Sequence, residues 1–145
     1  MGKILGIIGG GQLGMMLTEA AKNMTTDISE IIVLDPTENC PASKIGATQI
    51  VADFKNASAI KELASKCDII TYEIESGDSK ILKNLENECE INPSPETLEI
   101  IQDKLTQKKF LAENNIPVAE FREISSKNEL ESKINEFGLP VLLKT

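Results

Sequence analysis

The chain has 145 residues, with 15 Lys and Arg, 23 Asp and Glu and no His, which gives a formal net charge of −8. The absence of histidine excludes a Ser-His-Asp triad, a Cys-His pair and a His-ligated metal within this sequence. The acidic balance and the 3% of aromatic residues argue against a nucleic-acid-binding surface, which needs a basic face and stacking partners.

The first 93 residues alternate short apolar runs with amphipathic segments. Strands are predicted over residues 3–8, 31–34, 48–51, 69–72 and 90–92. Helices are predicted between them from apolar residues at helical spacing. The apolar face predicted for the first helix consists of Leu13, Met16, Leu17, Ala20, Ala21 and Met24. This alternation with short connections predicts an α/β fold, a Rossmann-like parallel sheet flanked by helices.

The pattern changes at residues 92–95, where two prolines follow an asparagine and a serine. Ser94 and Asp103 are the predicted N-caps of two helices. Strands are predicted over residues 118–124 and 141–144, with a helix over 129–137 between them that ends at Gly138. The last predicted strand has no evident partner in the sequence. We therefore expect one domain over residues 1–93 and the incomplete start of a second over 94–145.

The three cysteines and the hydropathy indicate a cytoplasmic protein. Cys40, Cys67 and Cys89 are odd in number and show no C-x-x-C spacing, so buried free thiols are expected. No run reaches the ~18 apolar residues of a membrane-spanning helix. The early apolar run is broken by glycines, unlike a signal peptide. We expect neither a membrane nor a nucleic-acid partner.

Gly9, Gly11 and Gly14 form a G-x-G-x-x-G pattern between the first predicted strand and the first helix. Such glycines allow a tight turn, the approach of a ligand to the backbone and close packing of helix on strand. The open N–H groups of a helix N-terminus favour an anion, usually a phosphate. Asp35 ends the second strand, where dinucleotide enzymes hold a ribose hydroxyl. The pattern predicts a phosphate-bearing ligand, either a dinucleotide or a smaller molecule; a turn without a ligand is the alternative.

Three further residues are candidates for ligand contacts. Glu73 follows the fourth strand and is expected at the same sheet edge as the glycine turn, where it could bind a ribose hydroxyl or an amine. The alternative for Glu73 is a position in a solvated acidic loop that binds no ligand. Lys104 lies in the charged segment 102–108, which by itself is typical of a solvated helix start. Lys144 ends an apolar predicted strand, and this half-covered position favours a phosphate-binding role.

Six motifs occur in one order along the chain. They are GGGQLG at residues 9–14, LDP at 34–36 followed by CPA at 40–42, ITYE at 70–73, QDKLTQK at 102–108, NIPV at 115–118 and VLLK at 141–144. The series resembles the N-terminal part of the 5-(carboxyamino)imidazole ribonucleotide synthetases, an ATP-grasp family of purine synthesis. The resemblance covers essentially the whole chain. It implies a pre-ATP-grasp domain over residues 1–93 and the first part of an ATP-grasp domain over 94–145.

The resemblance also implies a reaction and its participants. ATP and bicarbonate form carboxyphosphate, and the amine of aminoimidazole ribonucleotide is carboxylated. The site residues so implied are Gly11, Gln12, Leu13 and Glu73 for the nucleotide substrate and Lys104 and Lys144 for ATP. No catalytic residue or metal ligand is assigned to this segment, because the Mg²⁺ ligands and the ATP loop of the family are expected beyond residue 145. The 145 residues alone are therefore expected to be inactive, and a homodimer is expected because family members are commonly dimers.

Two positions depart from the family pattern, and three alternatives stay open. Met15 and Lys104 stand where arginine is common, and a lysine offers a point charge in place of a planar fork. The first alternative is another ATP-grasp ligase, of the glycinamide ribonucleotide transformylase or biotin carboxylase type. The second is an NAD-binding Rossmann domain that uses Asp35. The third is a fragment that binds no ligand.

Overall fold

A computed structural model describes residues 2–144, which form two compact units that divide between Glu99 and Ile100. In chain order the elements are β1 (Lys3–Ile8), α1 (Gln12–Lys22), β2 (Ile28–Leu34), α2 (Pro41–Lys44), β3 (Thr48–Ile50), α3 (Ala57–Lys66), β4 (Ile69–Tyr72), α4 (Ser79–Leu85), β5 (Glu90–Ile91), α5 (Pro95–Gln102), α6 (Lys104–Glu113) and α7 (Lys127–Phe137). Among the described residues, no helix has the length and apolar character needed to cross a membrane. The predicted domain boundary between residues 93 and 94 stays a prediction.

The first unit is built on a five-stranded parallel sheet in the order β3-β2-β1-β4-β5. Ile8, the last residue of the central strand β1, pairs with Leu34 on one side and Tyr72 on the other. The segments that follow β1, β2 and β4 therefore emerge side by side at one edge of the sheet. This architecture confirms the predicted α/β fold and brings the glycine turn, Asp35 and Glu73 to the same place.

Helices cover both faces of the sheet because β1 presents alternate residues to each. Leu5 and Ile7 pack in a cluster with Ala21 of α1 and Ala42 of α2. Gly6 faces the other side, where an added Cβ would lie 3.2 Å from Leu63 of α3. Both faces of the central strand are thus occupied, which is why its sequence is an unbroken apolar run.

The predicted apolar face of α1 is wrong for all but one of its residues. The buried residues of the helix are Gly14, Thr18 and Ala21. Leu13 and Met16 are 57% and 54% exposed, and Leu17 and Met24 are exposed as well. Small residues face inward because the first turn of α1 lies directly against the strand-to-helix turn, where a Cβ on Gly14 would contact the Gly9 carbonyl oxygen. The larger apolar side chains consequently form an exposed stripe.

Two helices of the first unit have side-chain caps. The Asn56 carboxamide accepts a hydrogen bond from Ala59 N at the start of α3. The Asp78 carboxylate accepts hydrogen bonds from Lys80 N and Ile81 N at the start of α4. Each cap satisfies N–H groups that the helix itself leaves open, which fixes where the helix begins.

The second unit departs from prediction in its strands. α6 begins after Asp103, whose carboxylate accepts a hydrogen bond from Thr106 N, and α7 ends at Gly138 with φ of +86°. Residues 118–124 and 141–144 are irregular, so the two strands predicted there are wrong. A strand is stabilised by a neighbouring ladder, and these segments pair with none among residues 2–144. Leu142 is accordingly 80% exposed.

The buried thiols give a first testable prediction. Cys67 and Cys89 are free and buried, and the Cys89 thiol donates to the Cys67 carbonyl oxygen over 3.3 Å. Burial, reinforced by Cys89, raises the pKa of Cys67 to about 12. Since the thiolate is the reactive form, we expect Cys67 to resist 5,5′-dithiobis(2-nitrobenzoate) at pH 8 in the native chain and to react fully in denaturant. Native labelling of Cys67, located by peptide mass spectrometry, at the rate of a free thiol would contradict this.

Candidate functional site

The glycine-rich turn leaves the N-terminus of α1 open at the carboxyl edge of the sheet. Gly11 is the N-cap, with φ of −67° and no side-chain cap, and the first helical hydrogen bond runs from Met15 N to the Gly11 carbonyl over 2.9 Å. Gln12 and Leu13 form the exposed start of the helix. The structure therefore places the three predicted residues Gly11, Gln12 and Leu13 together, where helix N–H groups and the helix dipole attract an anion.

Glu73 lies over this turn, as its position after β4 predicts. Its N–H continues the sheet by donating to the Ile8 carbonyl over 3.1 Å. Its side chain crosses the turn so closely that a Cβ on Gly9 would lie 2.6 Å from Glu73 Oε1, while one on Gly11 would lie 3.8 Å away. Within residues 2–144 the half-buried Glu73 carboxylate has no hydrogen-bonding or ion-pair partner. A carboxylate acceptor thus stands beside open N–H donors.

The electrostatic state of Glu73 follows from its surroundings. Burial raises the pKa of the Glu73 carboxyl, and the negative charge of Asp35 raises it further. A partly desolvated carboxylate gains more from a hydroxyl or amine donor than one in water does. The arrangement is suited to a ligand that carries both an anionic group and a hydrogen-bond donor.

Gly10, which lies between Gly9 and Gly11, is tightly enclosed by its neighbours. A Cβ on Gly10 would contact the Cys40 sulfur and would lie 2.9 Å from Val33 Cγ2. The Gly10 carbonyl also accepts a hydrogen bond from Ala42 N over 3.0 Å. The G-x-G-x-x-G pattern allows any residue at position 10. The run of three consecutive glycines is the one sequence signal of the close approach of the segment between β2 and α2.

The structure gives Asp35 a role other than the ribose binding considered for it. This side chain is only 6% exposed, and both of its carboxylate oxygens accept backbone hydrogen bonds. Oδ2 accepts from Gly10 N and Oδ1 from Thr37 N, each over 2.8 Å. Because these oxygens serve the protein's own turns, the feature that favoured a dinucleotide has a structural explanation instead.

Gln49 is a residue that the sequence reasoning missed. It lies in β3, and its amide nitrogen donates to the carbonyl oxygens of Asp35 and Thr37 over 3.2 and 2.8 Å. Its amide oxygen accepts from Cys40 N over 3.4 Å. One side chain therefore ties together the segment that follows β2. No local sequence signal marks it, because its three partners are 9 to 14 residues away.

The two lysines assigned to ATP lie in the second unit. Lys104 is the first residue of α6; it is half-buried and donates to the Ile101 carbonyl over 3.2 Å. Lys144 is exposed in the irregular segment, so the half-covered strand position expected for it is wrong. Their contact with ATP stays a prediction.

The described residues do not fit a metal ion. Across residues 2–144, no group of three or more His, Cys, Asp or Glu side chains is placed to hold one. The Mg²⁺ implied by the resemblance therefore has no assigned ligand in this part of the chain.

Comparison with known proteins places these features in a family. A family model described as the ribonucleotide synthetase preATP-grasp domain matches residues 1–102. The N5-carboxyaminoimidazole ribonucleotide synthase of Staphylococcus epidermidis is 36% identical over 144 residues, which cover 99% of this chain and 38% of the relative. The chain thus spans less than two fifths of the length of the curated relatives that it matches.

Solved structures agree with the sequence match. The N5-carboxyaminoimidazole ribonucleotide synthetase of Thermotoga maritima superposes with a TM-score of 0.82 at 49% identity, covering 95% of this chain and 37% of that one. The Aspergillus clavatus synthase, solved with ADP and 5-aminoimidazole ribonucleotide, gives a TM-score of 0.83 at 36% identity, covering 96% of this chain and 37% of that one. A Mycobacterium tuberculosis transformylase gives 0.77 over 94% of this chain and 40% of that one, but at 21% identity this likeness shows the fold alone.

Proposed function

Because the chain belongs to the ribonucleotide synthetase preATP-grasp domain family, we propose that it is the N-terminal, nucleotide-binding part of an ATP-dependent ligase that carboxylates aminoimidazole ribonucleotide with bicarbonate. The observation that carries the proposal is the Glu73 carboxylate over the open N-terminus of α1. A phosphoribosyl amine offers an anion and hydroxyl or amine donors, which match these two halves of the site. The likeness to a synthase solved with 5-aminoimidazole ribonucleotide supports the same ligand.

The residues of the first unit act by binding and orienting. The N–H groups of Gln12 and Leu13 donate hydrogen bonds to oxygens of the phosphoribosyl group. Glu73 accepts a hydrogen bond from the ribose or the amine of the ligand. The proposed chemistry forms a carbon–nitrogen bond: bicarbonate takes a phosphoryl group from ATP with release of ADP, and the amine then displaces phosphate from the resulting carboxyphosphate. Cationic groups would neutralise the phosphate charge, and Mg²⁺ would supply the same effect where it is bound. Lys104 and Lys144 are proposed to contribute to ATP binding. Nucleotide orientation is thus the contribution proposed for residues 1–99.

Thermal unfolding with added ligand tests this function. A ligand that binds the native state raises its melting temperature. We expect aminoimidazole ribonucleotide to raise the melting temperature of the chain. We expect NAD and NADH to leave it unchanged, because both carboxylate oxygens of Asp35 already accept hydrogen bonds from Gly10 N and Thr37 N. A response to NAD alone would overturn the proposal in favour of a dinucleotide-binding domain, and no response to any of them would indicate a fragment without a ligand.

Glycinamide ribonucleotide is the matched alternative substrate. The transformylase likeness favours the same architecture but no particular substrate. We expect a smaller rise in melting temperature with glycinamide ribonucleotide than with aminoimidazole ribonucleotide at equal concentration. The reverse order would assign the chain to the transformylase type of ATP-grasp ligase.

The isolated 145 residues are proposed to lack turnover, since they span 38% of the relatives' length. We expect no phosphate release from ATP when the chain is supplied with aminoimidazole ribonucleotide, bicarbonate and Mg²⁺. Phosphate release that depends on the ribonucleotide would contradict this. The cytoplasm is the proposed location, which the three free thiols support.

A homodimer is also proposed, with the exposed stripe of α1 as its surface. The stripe, formed by Leu13, Met16, Leu17 and Met24, contains no charged residue, so the same patch on a second copy can pack against it about a two-fold axis. We expect Met16→Glu to convert the dimer to a monomer in sedimentation velocity. A wild-type chain that sediments as a monomer at high concentration, or a variant that remains dimeric, would contradict this surface.

A further inference from the structure

We propose that Asp35 and Gln49 are positioning residues that hold the glycine turn in its ligand-binding conformation without touching the ligand. This inference rests on the proposed function, because it concerns the binding of the same nucleotide. In this role Asp35 binds the protein's own backbone and not the ligand. Gln49, which lies in none of the sequence motifs, acts together with it.

Asp35 holds Gly10 directly. The Gly10 N–H donates to Asp35 Oδ2 over 2.8 Å, and the side chain is buried, so the bond is shielded from competing water. Because the turn connects the end of β1 to the first residue of α1, the Gly10 peptide determines how Gly11 and the following N–H groups face the ligand. Asp35 thereby sets the orientation of donors that it does not contact.

Gln49 holds the segment that carries Asp35. Its amide bridges the carbonyl oxygens of Asp35 and Thr37, and its oxygen accepts from Cys40 N. The Cys40 sulfur in turn packs where a Cβ on Gly10 would stand. Gly10 is therefore fixed from two sides, by the hydrogen bond that its N–H donates to Asp35 and by the close approach of Cys40. Gln49 is hydrogen-bonded to both Asp35 and Cys40.

Gln49 lies on a different strand from the residues proposed to contact the ligand. It lies in β3, which pairs with β2, whereas β1 and β4 carry the turn and Glu73. A ligand on the α1 N-terminus is therefore separated from β3 by β2 and the segment after it. Loss of affinity on changing Gln49 has to act through the backbone of the turn.

The test uses the whole chain and two variants, Asp35→Asn and Gln49→Ala. Asp68→Asn is the matched control, because Asp68 Oδ2 also accepts a β1 backbone hydrogen bond, from Ile4 N over 2.7 Å, near the first residues of the strand. Affinity for aminoimidazole ribonucleotide is measured by calorimetry well below the melting temperature of each protein. Hydrogen exchange of the Gly10 and Ile4 amides is followed by NMR.

We expect both variants to lose about tenfold or more in affinity and to exchange the Gly10 amide faster, because small displacements of binding groups have large effects. The control should retain wild-type affinity and accelerate only the Ile4 amide. If Asp35→Asn does not fold, Gln49→Ala carries the same test, since its side chain has no contact of its own with Gly10.

The outcomes distinguish a failure of the positioning role from a failure of the proposed function. Wild-type affinity in folded Asp35→Asn and Gln49→Ala overturns the positioning role while leaving the proposed function intact. A wild-type chain that does not bind aminoimidazole ribonucleotide overturns the proposed function, and the positioning role with it. An equal loss of affinity in Asp68→Asn assigns the effect to general loosening of β1 and also overturns the positioning role.

Discussion

Alanine at position 14 is expected to lower the free energy of unfolding by about 3 kcal/mol. In an ordinary helix the same change is stabilising by about 1 kcal/mol, because glycine has the higher conformational entropy in the unfolded chain. At Gly14 the change is destabilising instead, because the added methyl group would contact the Gly9 carbonyl oxygen. This oxygen is part of the backbone, so it can move only if the turn moves with it. Urea denaturation followed by circular dichroism measures the difference.

Gly11→Ala is the matched control for this prediction. Gly11 lies in the same turn with an ordinary φ of −67°, and its added Cβ would have only Glu73 Oε1 near it, at 3.8 Å. We expect its stability to stay within about 0.5 kcal/mol of wild type, as for surface positions, while the methyl group weakens ligand binding. Equal stability of the Gly14→Ala variant and the wild type would refute the close packing of α1 on the turn.

Replacing Glu73 with glutamine is expected to weaken the binding of aminoimidazole ribonucleotide by about 10- to 100-fold, the effect of losing a hydrogen bond to a charged group. Stability at neutral pH should not fall, because the wild-type carboxylate is partly buried and lies near Asp35 without a compensating partner among the described residues. Calorimetry gives the affinity and thermal melting the stability. Glu75→Gln, two residues further on and exposed, is the control and should bind normally.

The pH dependence of Glu73 has a definite sign. Its pKa is raised in the native chain, so the native state holds this proton more tightly than the unfolded state does. The contribution of Glu73 to stability is therefore most favourable at low pH and declines as pH rises from about 4.5, the ordinary value, through the raised native pKa. Glu73→Gln should lack this decline.

Ligand affinity should change in the opposite direction. The ionised carboxylate is the better acceptor for a ribose hydroxyl or an amine, so wild-type affinity rises with pH as Glu73 loses its proton. Affinity of Glu73→Gln should be flat over the same range. A wild-type affinity that falls with rising pH would contradict the acceptor role of Glu73.

Sequence patterns predicted those parts of the fold that depend on neighbouring residues. The strand β4, the cap Asp103 and the end of α7 at Gly138 follow from an apolar run and from residues at the helix termini themselves. The placement of Gly11 and Glu73 at one edge of the sheet was also predicted, because the end of a parallel strand fixes which edge a residue occupies.

The predictions that depend on long-range packing were wrong for two physical reasons. The stripe at Leu13 and Met16 has helical periodicity, yet periodicity does not say which side of a helix meets the sheet when glycine, threonine and alanine pack more closely. Residues 118–124 have the apolar content of a strand, but a strand also needs a partner, and none lies among the described residues.

The α/β alternation, the glycine turn and the acidic residue beside it can be predicted from the sequence, because these depend on composition, spacing and the geometry of single elements. The role of Asp35 depends on contacts between distant segments. The carboxylate that matches a ribose-binding position in sequence is buried and bonded to Gly10 and Thr37, because β1 and β2 end side by side and bring the two turns within hydrogen-bonding distance. Gln49 depends on the same convergence of separate segments, which no local pattern encodes.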